Sequence, residues 1–154
     1  MKLYKREGRR FVPMQIEDRT GMFYQKDRTF ARYKDENTIG VCILSTIEHD
    51  VVMSLYDSGE FNLTKDKVKS KLQKMQGITL LNEMPTTSEM FIALHKHQKS
   101  LNIDTYRKYW CKNDRFDVEN IFFAVLYDHR NAHIYVASRI DVAEIRPVMR
   151  IKHF

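Results

Sequence analysis

The segment Met84-Pro85-Thr86-Thr87-Ser88-Glu89 constrains this chain more than any other. Thr86 and Glu89 have the spacing of a capping box. The Thr hydroxyl can accept from the amide of Glu89, and the Glu carboxylate can accept from the amide of Thr86. Pro85 biases Met84 away from helical dihedrals and sharpens the boundary. Met90, Leu94, His97 and Leu101 then share a stripe, which predicts a helix ending near Leu101-Asn102. Short β-prone runs lie on both sides of this helix.

Upstream, residues 3–16 read as a hairpin with a Glu7-Gly8 turn, limited by Pro13. Gly21 to Tyr24, Thr29 to Tyr33, Ile39 to Leu44 and Val51 to Leu55 read as further strands, closed by the turn residues Asp57-Ser58-Gly59. A first helix follows, with Thr64 as N-cap, Val68, Leu72 and Met75 on one face and Gly77 as the stop. Its opposite face carries Lys67, Lys71 and Lys74, read as solvated and given no ligand. Downstream, Asn102 to Glu119 is polar with embedded aromatics and reads mainly as loop. Ile121 to Asp128 and His133 to Ser138 are expected strands around an Asp128-to-Ala132 turn. Ile145 to Ile151 is a last strand interrupted by Pro147. Strands, two helices, then strands make an α+β chain with an antiparallel sheet.

At 154 residues, one domain can bury a core. Residues 1–61 are expected to supply N-terminal strands and 62–154 the helices and central strands. Two cysteines, Cys42 and Cys111, sit far apart and in no CxxC, which argues for free thiols. No stretch approaches the roughly 18 apolar residues of a membrane span, and no secretory signal is visible at the start. The expected location is the cytoplasm of a host or a virion. The net charge is +6, and residues 1–34 carry the whole excess, ten Lys/Arg against four Asp/Glu. That is either a footprint for phosphate or an acidic partner, or the charge that keeps edge strands soluble.

Three short motifs in order carry a family likeness: Met84-Pro85-Thr86-Thr87-Ser88-Glu89, Tyr109-Trp110-Cys111-Lys112 and Ile145-Arg146-Pro147-Val148. From about Asn62 to Met149 the chain resembles C-type-lectin-like domains of bacteria and phages. There a Leu-Pro-Thr-x-x-Glu segment opens the second helix, a Tyr-Trp-Ser-Ser segment starts the central strands and Val-Arg-Pro-Val ends the domain. The opening, Tyr4-Lys5-Arg6-Glu7-Gly8-Arg9-Arg10-Phe11-Val12-Pro13, resembles the N-terminal hairpin of small phage and Bacteroides-type open reading frames. This chain departs from the pattern in having Leu81-Asn82-Glu83 where a Gly-Trp pair is common, and Cys111-Lys112-Asn113-Asp114 after the tryptophan.

The resemblance implies two helices packed on an antiparallel sheet, with the chain ends near each other and ligands met by the loops and central strands. It implies a non-enzymatic recognition protein of phage or mobile-element origin, binding a protein or glycan partner, as a virion component or at a host surface. The expected contact surface is Tyr109, Trp110, Lys112, Asn113, Asp114, Arg115, His129, Arg130 and Asn131, because aromatic and arginine side chains anchor interfaces. A homo-oligomer or virion assembly is a further expected partner.

Other chemistries find less in the residues. Calcium needs six to eight oxygens, and neither Glu-Pro-Asn nor an intact Trp-Asn-Asp is present. Zinc needs three or four convergent ligands, and no Cys/His spacing enforces that. His95 and His97 are two apart and point differently on a helix. His129 and His133 flank a turn. Glu48-His49-Asp50, the one dense acid–histidine triplet, reads as a turn before a strand. No cofactor or metal is expected. Nucleic-acid binding is the alternative: Arg9, Arg10, Arg28, Arg32 and Lys34 alternate with Phe11, Phe23, Tyr24, Phe30 and Tyr33, the residue types that contact phosphates and stack bases.

Overall fold

The computed structural model describes residues 4–13, 17–57, 63–114, 121–126 and 130–153. A hairpin comes first, β1 (Tyr4–Glu7) against β2 (Arg10–Pro13), with Glu7 opposite Arg10. The two-residue loop between them places Gly8 at φ +62°, where a side chain would be strained. Then follow β3 (Phe23–Gln25), β4 (Phe30–Ala31), β5 (Thr38–Ser45), β6 (His49–Ser54) and β7 (Leu63–Thr64). Three helices come next: α1 (Lys65–Met75), α2 (Thr87–Lys96) and the single turn α3 (Gln98–Leu101). The chain ends with β8 (Lys108–Lys112), β9 (Ile121–Leu126), β10 (Ala132–Val136), β11 (Val142–Ala143) and β12 (Val148–Lys152).

Two sheets carry the structure, and all named strand pairs are antiparallel. The larger has the order β12-β6-β5-β3-β4 and the smaller β10-β9-β8. The protein is therefore a mixed α/β chain with antiparallel sheets and, among the described residues, three helices. One face of the large sheet packs Val41, Ile43, Val51 and Met53 against Met90, Ala93 and Leu94 of α2 and against Tyr109, Cys111 and Ala124 of the small sheet. The other face of the small sheet packs Trp110 against Leu63, Val68, Met84 and Ile145. The small sheet is thus covered on both sides, in keeping with its apolar central strand Ile121–Leu126.

The outer face of the large sheet is closed by the chain that follows α1, where Leu81 packs with Tyr24 and Val52. Gly40 makes that approach possible. A Cβ there would stand 2.6 Å from Val52 Cγ1 and 2.8 Å from the Met53 carbonyl oxygen.

Pairing of β12 with β6 sets the tail beside a strand of the first third of the chain, with Val148 opposite Met53 and Lys152 opposite His49. Buried Asp50 fastens this junction. It accepts from Ser45 Oγ at 2.6 Å, and Arg19 Nη1 and His153 Nε2 stand 3.3 and 3.0 Å from its Oδ2. Residues close to the two ends of the chain therefore meet on one carboxylate.

Three sequence expectations need correction. Lys108–Lys112 is a strand, not part of a loop running through residues 102–119, because its whole length pairs with β9, from Lys108↔Val125 to Lys112↔Ile121. His49 and Asp50 open β6 and do not form a turn. The second helix breaks at His97 (φ −124°, ψ 14°) before α3, and Asn102 closes α3 in the left-handed region. Expected structure at Leu3, Met14 to Ile16, Ser58-Gly59, residues 115–119 and Tyr127 to His129 lies outside the described residues.

Candidate functional site

The capping box forms as the spacing predicts. Glu89 N–H donates to Thr86 Oγ1 at 3.2 Å, and Thr86 N–H donates to Glu89 Oε1 at 2.9 Å. Two further carboxylate contacts converge on this helix start. Arg150 of β12 reaches both Glu89 oxygens, Nε to Oε2 at 3.0 Å and Nη2 to Oε1 at 2.5 Å. Asp114 accepts from the Ser88 amide at 3.1 Å and from the Ser88 hydroxyl at 2.6 Å. Burial alone would raise the Asp114 carboxyl, but hydrogen bonds from Ser88, Thr86 and Thr87 together outweigh that and hold it below the usual carboxylate range. The Lys112 amide donates to the Pro85 carbonyl at 3.0 Å. Burial, with Arg150 nearby, lowers the Lys112 ammonium from its ordinary value.

The segment expected to make contacts therefore divides. Tyr109 and Trp110 are core residues, each 0 % exposed, and present no surface to a partner. Trp110 donates its indole N–H to the Leu63 carbonyl at 2.8 Å. The tyrosine lies against buried Arg146, whose Nη2 is 3.3 Å from the phenol oxygen. Their burial follows from the strand identity of Lys108–Lys112: successive side chains point to opposite faces, and both faces of that sheet are covered. Lys112 and Asn113 are half-buried, while Asp114, Arg130 and Asn131 are exposed. Arg115 and His129 lie outside the described residues.

A row of aromatic side chains crosses the small sheet from core to surface. Trp110, Phe123 and Tyr135 occupy matched positions on β8, β9 and β10. Trp110 and Phe123 meet edge to face with centroids 6.5 Å apart, and Phe123 and Tyr135 stand 5.4 Å apart. His133 stacks beyond at 6.1 Å from Tyr135. The row surfaces on β10, which has no strand partner on its far side among the described residues. Ile134 and Tyr135 are each 37 % exposed, Val136 is 79 % and Ile140, just past the strand, 88 %. Ala132 to Val136 contains no Lys, Glu or Pro, the usual protection of an open edge. Sequence reasoning missed these positions. A signal was present: an uncharged β-prone run beside a turn, where a solvated strand would alternate with polar residues.

The thiols are poorly suited to nucleophilic chemistry. Burial pushes both Cys42 and Cys111 up to about 12, so each stays protonated near neutral pH. His95 is exposed and His97 buried, with His97 Nε2 3.1 Å from the Ile43 carbonyl oxygen. Among the described residues, no three His, Cys, Asp or Glu side chains are grouped so as to hold a metal ion. No described helix is long and apolar enough to cross a membrane.

The five cations of the nucleic-acid reading are exposed, Arg9 and Arg10 on the hairpin and Arg28, Arg32 and Lys34 around β4, whereas Arg19 is half-buried against Asp50. Phe11 and Tyr33 are exposed beside them, whereas Tyr24 is core and Phe23 and Phe30 are half-buried.

No family model, curated protein or solved structure matches this chain.

Proposed function

We propose that the chain is a non-enzymatic recognition protein of the C-type-lectin-like kind, of phage or mobile-element origin, which binds a protein or glycan partner in a virion or at a host surface. The observation that carries this reading is the uncharged, solvent-facing edge of β10, backed by the aromatic row that runs into the core at Trp110. An exposed apolar strand edge favours association, and here it is held by a rigid support. The order of elements and the return of β12 to β6 agree with the layout that the three motifs imply. The contact surface is redrawn around Arg130, Asn131, His133, Tyr135 and Val136; Asn113 and Asp114 follow β8, which β9 separates from β10, and drop out of it. Tyr109 and Trp110 act beneath it as support.

The test is capture of partners by the immobilised chain from host extract and on a glycan array, repeated with Tyr135→Ser/Val136→Ser. Loss of the captured partner, with unchanged far-UV and Trp110 spectra, is the expected result. Equal capture by the variant defeats the assignment.

A second reading, nucleic-acid binding through Arg9, Arg10, Arg28, Arg32 and Lys34, is favoured by the exposure of Phe11 and Tyr33 beside these cations. It predicts affinity for single strands that falls steeply with salt.

A further inference from the structure

The β1–β2 hairpin forms a sheet of its own, and among the described elements neither strand packs closely on another part of the molecule. Its register sorts the side chains into two faces. Arg6 stands opposite Phe11, and Tyr4 lies two residues before Arg6, so these three share one face. Arg10 falls on the other face, opposite Glu7. Tyr4 is 54 % exposed and Phe11 72 %, and Arg6 and the turn residue Arg9 are exposed as well. Two rings with most of their surface in water add little to the fold, and a lone two-stranded hairpin is marginally stable in any case.

The spacing on this face suits a flat ligand. Residues two apart along a strand stand about 6.6 Å from each other. Stacked bases repeat at about 3.4 Å along a nucleic-acid strand. An interval of the first size, between Tyr4 and Arg6, admits one base with a stacking contact on each side. Arg6 Nε donates to the Gly8 carbonyl at 3.0 Å, which restrains the guanidinium on the turn side of that interval. Guanidinium and aromatic planes both stack on bases. Charge agrees with such a ligand: residues 1–16 hold five Lys/Arg and one acid, Glu7, and cations of this kind contact phosphates.

We infer that the hairpin is a stacking arm for single-stranded nucleic acid. One unpaired base lodges between the Tyr4 ring and the Arg6 guanidinium, a neighbouring base covers Phe11, and Arg9 meets phosphate at the tip. This inference rests on the second reading above, nucleic-acid binding, and narrows it to one face of one hairpin. Tyr4 and Arg6 enter the site, and Arg10, on the opposite face, leaves the stack. The recognition edge at β10 plays no part in it.

Fluorescence anisotropy of the whole chain with a labelled oligothymidylate tests the inference, with an abasic strand of the same phosphate count for comparison. Saturable binding of oligothymidylate is expected, with the abasic strand about tenfold weaker or more. Tyr4→Ser/Phe11→Ser should bring oligothymidylate down to the level of the abasic strand with the far-UV spectrum unchanged. Should that variant lose structure, Tyr4→Leu/Phe11→Leu keeps the hydrocarbon, removes the planes and carries the same expectation. Arg6→Lys keeps the charge but not the plate, and should weaken oligothymidylate about threefold or more. Equal affinity of the unaltered chain for the two strands would mean that cations hold phosphate without stacking. That result overturns the inference and leaves the nucleic-acid reading standing, as does oligothymidylate binding unchanged in the aromatic variants. Binding of neither strand defeats the nucleic-acid reading itself, and the inference with it.

Discussion

Arg146 concentrates more long-range contacts than any motif reading suggests. Its side chain is 2 % exposed, and Nη1 donates to the carbonyls of Leu55 and Leu101 while Nε faces Asp57. Its carbon Cζ lies 5.5 Å from the Tyr109 ring centre. The contacts join the end of β6, the end of α3, β8 and the approach to β12. Removing one partner of a buried ion pair leaves the other uncompensated, at a cost of about 3–5 kcal/mol. Asp57 keeps Arg107 as a partner, so Arg146→Met should lower the unfolding free energy, read by urea titration, by an amount toward the lower end of that range, and Arg146→Lys by less, since it keeps the charge but loses the planar fork. Trp110 is the single tryptophan and wholly buried. Its emission should be blue-shifted in the folded chain and move to the red in the same denaturant transition as the far-UV signal. Trp110→Ala should cost about 3–5 kcal/mol. A loss below about 1 kcal/mol would place the ring at the surface and restore it to the contact set. Neither role is visible in sequence. Arg146-Pro147-Val148 is legible as a strand-like motif, but the burial of Arg146 depends on carbonyls from segments about 45 and 90 positions away.

Local signals were legible wherever the physics is local. The capping box at Thr86 and Glu89 and the Gly8 turn were readable because both sides of each interaction lie within a few residues. Strand β8 was not, since it holds only Tyr109-Trp110-Cys111 between two lysines and forms by pairing with β9 across a long connection. Asp114 shows how a distant residue can complete a local device. It joins the N-terminus of α2, where a carboxylate also complements the helix dipole, and its folded pKa lies below the ordinary value. An Asp of this kind contributes stability at pH values above its unfolded pKa of about 3.9. That contribution is lost as pH falls through the lower folded value. Asp114→Asn should thus flatten the acid limb of the stability profile below about pH 4 and leave the shape near neutrality unchanged. His97, between α2 and α3, has its own window. Burial lowers its pKa, with the Ile43 carbonyl contact opposing. The unfolded chain binds this proton first, so stability should decline as pH drops below about 6.5. His97→Gln should remove that slope, as read from urea midpoints between pH 7.5 and 5. A slope unchanged in the variant would assign it to another group.

At the scale of the molecule, the last strand closes a structure that the preceding residues leave incomplete. Its whole length pairs with β6, from Val148↔Met53 to Lys152↔His49, and Val148 also exchanges backbone hydrogen bonds with Glu83. It brings three cations to buried or half-buried carboxylates: Arg146 to Asp57, Arg150 to Glu89 and His153 to Asp50, the histidine when protonated. A chain ending at residue 144 would expose the β6 edge and leave Glu89 without Arg150. Asp57 and Asp50 would each keep one partner, Arg107 and Arg19. The helix start, the large sheet and the Arg146 cluster would fail together, because each uses the same strand. Such a chain should keep much of its far-UV signal but lose cooperative unfolding, bind a dye for exposed apolar surface and show red-shifted Trp110 emission, the marks of a molten state. The recognition reading requires this coupling, since β10 can present a fixed edge only if the sheet behind Trp110 is locked. If the truncated chain unfolded cooperatively with blue-shifted Trp110 emission, the small sheet would be stable without the tail. The support attributed to closure would then have to come from α1 and α2 alone.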